Sequence, residues 1–301
     1  MEIVVFGAGS LGSLVGGLLA GTHDVTLVGR SAHMRAIEAD GLTVGGAVET
    51  TVRPRTTTDS EGLSGDVVLV TVKAGDTATA AEALSTGSFN TVCSLQNGFT
   101  EETLVAELSV PVLAGTVTYG ARLREPGHVD CTGRGTVTLG PYTEDSAADD
   151  AAAAERAAAV GEAFRAADIE TDVRENMAKQ RWEKLAVNAA INPVTALARV
   201  ENGAVCEEPL WPVARRAARE TAAVARASGV DLSDDTAVEA VRTVAASTAA
   251  NRSSMLQDVD AGRVTEIEAI NGAVVERGAQ YGVDVPTNRL LTALVNGSKP
   301  R

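Results

Sequence analysis

The chain predicts a parallel α/β domain over residues 1–173 followed by an all-α domain over residues 174–301. Three observations carry that division. Short β-branched runs alternate with helical stretches between residues 2 and 117, the pattern of a parallel sheet covered on both faces. A glycine-rich turn joins the first such run to the first helix. From about Arg174 onward the patterns are almost all helical, broken at Gly203, Pro209, Gly229 and Pro286. A chain of 301 residues is also too long for one small core, so two ordinary domains are a natural solution.

In chain order, Glu2–Phe6 is a strand ending in G-A-G-S-L-G, and a helix of small and apolar residues runs to about Ala20. Asp24–Val28 is the second strand and closes a β-α-β unit. After a less regular interlude, Asp66–Val72, Thr91–Leu95 and Val112–Val117 are further strands, with helices near 76–85 and 100–108 between them. Thr116–Leu123, His128–Cys131 and Thr136–Leu139 are separated by Pro126-Gly127 and Gly133–Gly135, which predicts antiparallel strands joined by turns. A helix is expected from about Ser146 to Ala167, its Ala-rich start a solvated face, and a short strand over Ile169–Val173.

Composition narrows the function classes. Hydrophobic residues make up 45% and aromatics only 3%, so the core is built of Ala, Val and Leu. The formal net charge of −14 repels phosphate backbones and anionic membranes, so neither nucleic acid nor membrane is an expected partner. Lysine occurs only at Lys73, Lys179, Lys184 and Lys299, so one inside an apolar run stands out. The acidic, lysine-poor surface suits a salt-rich cytoplasm, and GC-rich codon usage produces much the same bias. Cys93, Cys131 and Cys206 are scattered, with His23, His33 and His128 far apart, so neither a disulfide framework nor a zinc site is expected. With no signal-like start and no apolar run of about twenty residues, a cytoplasmic protein is the default.

G-x-G-x-x-G alone is a weak signal, but here it follows a strand and opens a helix. Gly7 permits a tight turn, Gly9 lets backbone amides approach a pyrophosphate, and Gly12 allows helix and strand to close up. With Ala8, Ser10 and Leu11 they form the candidate cofactor cradle at a helix N-terminus. The alternative is a glycine-rich turn with no ligand. The second strand ends in V-G-R-S rather than in an acidic residue, and Arg30 with Ser31 suits the 2′-phosphate of NADP. NADPH is therefore expected over NADH, unless Arg30 is an ordinary surface arginine. Lys73 and Asn97-Gly98 follow neighbouring strands, where ligands of an open parallel sheet lie. Read without a ligand, they are a surface lysine and a turn.

The second domain carries the sharper pattern. In R-W-E-K-L-A-V-N-A-A-I-N-P-V-T-A-L, Lys184, Asn188 and Asn192 recur every four residues of an otherwise apolar helix. Four-residue spacing puts them on one face, in a row about 12 Å long. Burying three such groups without partners would cost several kcal/mol. The row suits a ligand with acceptor oxygens, or else its amides serve nearby backbone. Downstream, Ser254 offers a hydroxyl and Glu266 a carboxylate, with Glu266, Ile270 and Ala273 expected on one side of a helix.

Together these motifs resemble those of the ketopantoate reductase family. The matching segments are G-A-G-S-L-G at 7–12, V-T-V-K at 70–73 and Q-N-G at 96–98, W-E-K-L-A-V-N-A-A-I-N-P-V-T-A-L at 182–197, S-S-M-L-Q-D at 253–258, and T-E-I-E-A-I-N-G at 265–272. The resemblance implies an NADPH-binding Rossmann-type domain and, across a cleft from it, a helical domain like the C-terminal one of 6-phosphogluconate dehydrogenase. It implies reduction of ketopantoate to (R)-pantoate on the way to pantothenate and coenzyme A. It also implies that Lys184 is catalytic with Glu266 as its acidic partner, that Asn188, Asn192, Asn202 and Ser254 bind substrate, and that Lys73 and Asn97 lie beside cofactor and substrate. Gln96 departs from the family's usual residue and leaves that loop's contacts open. The competing expectations are another NAD(P)H-dependent 2-keto or 3-hydroxy acid oxidoreductase, and an NADPH-binding redox sensor without turnover. The long C-terminal helices suit either a homodimer or internal burial.

Overall fold

The computed structural model describes residues 1–142 and 150–298. By their contacts these form two units: Met1–Gln96 with Thr100–Met177, and Asn97–Phe99 with the chain from Ala178 on.

In the first unit, strands β1 (Glu2–Phe6), β2 (Asp24–Val28), β5 (Arg55–Thr57), β6 (Ser64–Val70), β7 (Ser88–Ser94) and β8 (Val112–Val117) form the parallel part of an eight-stranded sheet. β11 (Val137–Pro141) and β12 (Thr171–Val173) complete it, β11 running antiparallel to β8. The order is β12-β11-β8-β7-β6-β1-β2-β5. Strand side chains alternate between faces. Accordingly Ile3, Val5, Val67 and Leu69 enter one core, while Val4, Phe6, Val68 and Val70 enter the other. Helices α3 (Thr77–Ser85) and α4 (Glu101–Glu107) cover the second of these cores. α5 (Asp150–Ala166) buries Ala157, Val160 and Phe164 in the first, and the expected 146–149 part of that helix lies outside the described residues.

The irregular interlude contains α2 (Ser31–Asp40), β3 (Leu42–Gly46), β4 (Thr50–Val52) and β5. β3 and β4 join β9 (Gly120–Glu125) and β10 (His128–Gly133) in a second sheet of order β4-β3-β10-β9. This corrects the expected three-strand antiparallel set. β9 and β10 do pair antiparallel, but β10's other neighbour is β3, and β11 returns to the main sheet. Helix α1 (Ser10–Leu19) touches both β1 and β2 of the main sheet and β3, β9 and β10 of the small one. That double cover explains why it lacks a polar face. His33 ties the two layers: its Nδ1 accepts from the Gly127 N–H at 2.9 Å, so its Nε2–H donates to Ser13 Oγ at 2.9 Å.

The second unit is built around α6 (Ala178–Ala198), packed by α7 (Trp211–Ala227), α8 (Asp234–Ser247), α9 (Ser254–Asp260) and α11 (Pro286–Gly297). α10 (Ala273–Tyr281) continues a π turn, Glu268–Gly272. Trp182, Leu185, Ala186, Val187, Ala189, Ala190 and Ile191 are buried on α6, so this helix is apolar nearly all round, as a central helix must be. Among the described residues no helix is long and apolar enough to cross a membrane.

Candidate active site

In the first unit, Gly7 has φ +112°, and a Cβ there would lie 2.6 Å from the Val72 nitrogen. Gly12 leaves no room either: its Cβ would lie 2.4 Å from the Gly7 oxygen. Gly9 differs. A Cβ there would meet only the Gly7 oxygen, at 3.9 Å. The protein's own packing does not require glycine at this exposed position, so the open space suits a close-approaching ligand. No side chain caps α1, so its first N–H groups have no side-chain acceptor. The Gly7 and Ala8 N–H groups are already used by the Val28 carbonyl. Leu11 is half-buried against the core shared with the small sheet, and the Ser10 hydroxyl accepts from the Leu123 N–H while keeping its own hydrogen to donate. A dinucleotide pyrophosphate fits this cradle.

Beyond β2, Arg30 occupies the N-cap position of α2 without a side-chain cap, and its exposed guanidinium enters no hydrogen bond or ion pair among the described residues. Arg35, four residues past Ser31, donates from its Nη2 to Ser31 Oγ at 2.9 Å and so adds a second cation nearby. Arg35 was not among the expected residues, although i, i+4 spacing from Ser31 was its signal. Lys73 stands past β6, in extended backbone ahead of the 3-10 turn Ala74–Asp76. Gln96 resolves its own ambiguity: its Nε2 donates to the Val72 carbonyl at 3.0 Å and to Thr77 Oγ1 at 2.8 Å. It thereby braces the Val72 carbonyl and the Thr77 hydroxyl on either side of Lys73.

In the second unit, α6 presents Lys184, Asn188 and Asn192. Lys184 and Asn188 are half-buried and Asn192 is 6% exposed. Asn97 bridges two of the other expected residues. Its Nδ2 donates to Glu266 Oε2 at 2.9 Å, and its Oδ1 accepts from Asn188 Nδ2 at 3.2 Å. Residues 91 and 169 positions from Asn97 thus converge on one amide. The loop itself is anchored by Phe99, whose ring lies 4.8 Å from Trp182, with the guanidinium carbons of Arg181 and Arg277 at 4.8 and 4.1 Å from its centre. Gly98 adopts φ +84°, and a Cβ there would strike the Ala269 oxygen at 2.6 Å.

Glu266 stands just ahead of the helix and shares an α-type turn with Ile270, whose N–H reaches its carbonyl at 3.1 Å, but the π turn over Glu268–Gly272 breaks the expected α spacing before Ala273. Asn192 makes no side-chain hydrogen bond among the described residues. Asn202 is buried, donates to Thr248 Oγ1 at 3.0 Å and keeps an unpartnered carbonyl oxygen. Ser254 is exposed at the first residue of α9. Its neighbour Ser253 is the N-cap, accepting from the Leu256 N–H and meeting Thr195 Oγ1 at 2.6 Å. Among the described residues no group of His, Cys, Asp and Glu could hold a metal.

An α/β unit with a glycine turn between its first strand and helix, followed by a helical unit bearing a lysine, amides and a carboxylate, is the plan of a two-unit oxidoreductase that uses a nicotinamide dinucleotide. Comparison with known proteins narrows the class. Residues 3–144 match the family model described as ketopantoate reductase PanE/ApbA, and residues 176–299 match that of its C-terminal region. The chain belongs to the ketopantoate reductase family. It is 45% identical to the 2-dehydropantoate 2-reductase of Halobacterium salinarum, over 98% of each chain. The crystal structure of a PanE/ApbA family ketopantoate reductase from Ralstonia eutropha has a TM-score of 0.87 at 34% identity, covering 99% of this chain and 98% of that one. The ternary structure of D-mandelate dehydrogenase with NADH and anilino(oxo)acetate reaches a TM-score of 0.90 at 23% identity, covering 99% and 98%. That likeness concerns the fold alone, which therefore does not choose among keto acids.

Proposed function

We propose that this chain reduces the 2-keto group of 2-dehydropantoate to (R)-pantoate, a precursor of pantothenate and coenzyme A, with NADPH as the reductant. The observation that carries the reading is the Glu266–Asn97–Asn188 chain, one helical turn from Lys184. It joins a carboxylate and two amides, with a lysine four residues along the same helix, the groups needed to bind a hydroxylated keto acid and to meet charge on its carbonyl.

When bound, the nicotinamide supplies the hydride that adds to the carbonyl carbon. Lys184 Nζ donates a hydrogen bond to the carbonyl oxygen, stabilises the negative charge that develops there and transfers its proton to it. Glu266 accepts from the substrate hydroxyl, and Asn97 holds the carboxylate in place. Asn188, Asn192, Asn202 and Ser254 bind hydroxyl and carboxylate oxygens, at less desolvation cost than further charges would carry. In the first unit, the Gly7–Gly12 turn receives the pyrophosphate with Ala8, Ser10 and Leu11, and Lys73 lies toward the nicotinamide end; in the second, Asn97 serves cofactor and substrate. Arg30, with Arg35 and Ser31, pairs with the adenosine 2′-phosphate, which favours NADPH.

A steady-state assay tests this with NADPH and NADH against a panel of 2-keto acids that includes aromatic ones. The expected result is 2-dehydropantoate with NADPH as the best pair by a wide margin. A better turnover of another keto acid, or NADPH binding without turnover of any, would replace the reading.

A further inference from the structure

Pro193 lies inside α6 and has no N–H to give the carbonyl four residues earlier, that of Ala189. The gap is filled from another element. Asn271, 0% exposed and within the π turn Glu268–Gly272, donates from Nδ2 to the Ala189 oxygen at 3.0 Å. The second hydrogen of that amide goes to Asn288 Oδ1 at 3.0 Å. Asn288 in turn donates to the Ala217 carbonyl at 3.1 Å and to Glu220 Oε2 at 2.9 Å. These two acceptors fix the orientation of Asn288, which fixes that of Asn271. The Asn271 oxygen is left buried without a partner, because turning the amide over would set it against two acceptors.

The geometry points to Asn271 as a positioning residue for the reaction: it keys the segment that carries Glu266 to the stretch of α6 that carries Asn188, through the carbonyl that Pro193 leaves open. Ala189 is the residue next to Asn188. Glu266 opens the same helical segment, its carbonyl accepting from the Ile270 N–H at 3.1 Å. In an α-helix residues five apart are about 140° apart, and the wider π turn reduces that angle among its own residues. Glu266 stands two residues before the π turn and Asn271 within it, so one segment reaches Asn97 through the first and the Ala189 carbonyl of α6 through the second. This inference rests on the proposed roles of Asn188 and Glu266.

Three variants test it: N271L, P193A and the double variant. P193A returns an N–H to α6, so the Ala189 carbonyl is satisfied without Asn271. N271L is expected to lower the melting temperature and to reduce kcat/KM for 2-dehydropantoate between about tenfold and a hundredfold, as a small displacement of an oriented group does, with the change mainly a rise in KM and NADPH affinity within about twofold. Adding P193A is expected to restore part of the melting temperature, Asn288 Oδ1 still lacking its donor, but not the KM. Recovery of both together would make Asn271 a merely structural filler of the carbonyl and overturn the inference, as would unchanged kinetics in N271L. If N271L does not fold, N271S carries the same comparison, its one short donor unable to serve both acceptors. A crystal structure of the folded variant gives a readout independent of substrate: the Glu266–Asn97 contact should open beyond hydrogen-bond distance, and its retention overturns the inference. Wild-type protein inactive on 2-dehydropantoate would sink the functional reading instead and leave the inference to that distance.

Discussion

Replacing Asn97 by aspartate keeps the side chain's shape and turns its donor into a charge. The Nδ2 that now donates to Glu266 at 2.9 Å becomes a carboxylate oxygen facing a carboxylate, while the oxygen that accepts from Asn188 is unchanged. Two unit charges about 4 Å apart interact by ~4 kcal/mol at an effective dielectric of about 20. Asn97 and Glu266 are half-buried, so solvent screening reduces that repulsion to ~1–2 kcal/mol. The lost hydrogen bond to a charged group adds about 1.5 kcal/mol. The swing of ~3 kcal/mol corresponds to about a hundredfold in kcat/KM for 2-dehydropantoate. The second variant in the series, N97D/E266Q, reverses the bond, the amide introduced at position 266 donating to the new carboxylate at position 97. Its melting temperature should recover while its kcat/KM stays low, because the charge has moved off the residue that meets the substrate. The assay is steady-state kinetics with a thermal melt of each variant. An N97D protein with wild-type kinetics and melting would refute the reasoning, since the bridge would then carry no energy.

The other expectations follow from the same geometry. K184A should lose about a hundredfold to ten-thousandfold in kcat, the usual loss with a positioned acid, and keep its NADPH affinity by titration; near-normal turnover would remove Lys184 from the mechanism. G9A should be stabilised by ~0.4–1 kcal/mol in a denaturant melt, since its Cβ meets nothing closer than 3.9 Å at φ −86°, yet bind NADPH at least about tenfold more weakly; unchanged binding would empty the cradle. R30A should raise the KM for NADPH about tenfold, roughly one exposed charge-assisted bond, without changing that for NADH; a parallel rise with both would end the 2′-phosphate role. Burial holds the His33 imidazole below its usual pKa of 6.5, and its Nδ1 already accepts from Gly127. The unfolded chain therefore takes up this proton first, so stability is full above about pH 6.5 and falls as pH drops toward the folded pKa. H33Q should flatten that part of a pH series of melts, and an identical acid loss in both proteins would argue against it.

Much of the fold was legible because its signals are local. β1, β2 and β8 lie where their β-branched runs end, and α6 spans the segment that its apolar periodicity marks. The interlude after β2 was not, because β3, β4 and β5 are three to five residues long and owe their strand form to partners elsewhere: β5 to β2, and β3 to β10 more than eighty residues on. The same limit misassigned β11, whose alternation fits either sheet equally well. At the site, the Lys184–Asn188–Asn192 row needed only the helical period. The use of Gln96 as a brace for the Lys73 turn, the grip of two arginines on Phe99 and the capping role of Ser253 required the folded chain.

By itself the sequence determined what repeats along the backbone: the glycine turn between strand and helix, the polar row on α6, and the change from alternating elements to helices. Tertiary structure alone decided which distant groups share a hydrogen bond. Asn97 meets Glu266 across 169 positions, and Asn271 reaches a carbonyl exposed by a proline 78 residues before it. Periodicity is a property of neighbouring residues, set by the pitch of helix and strand. The partner of a buried amide is set instead by which elements pack together and which of their polar groups are still unsatisfied once they have done so.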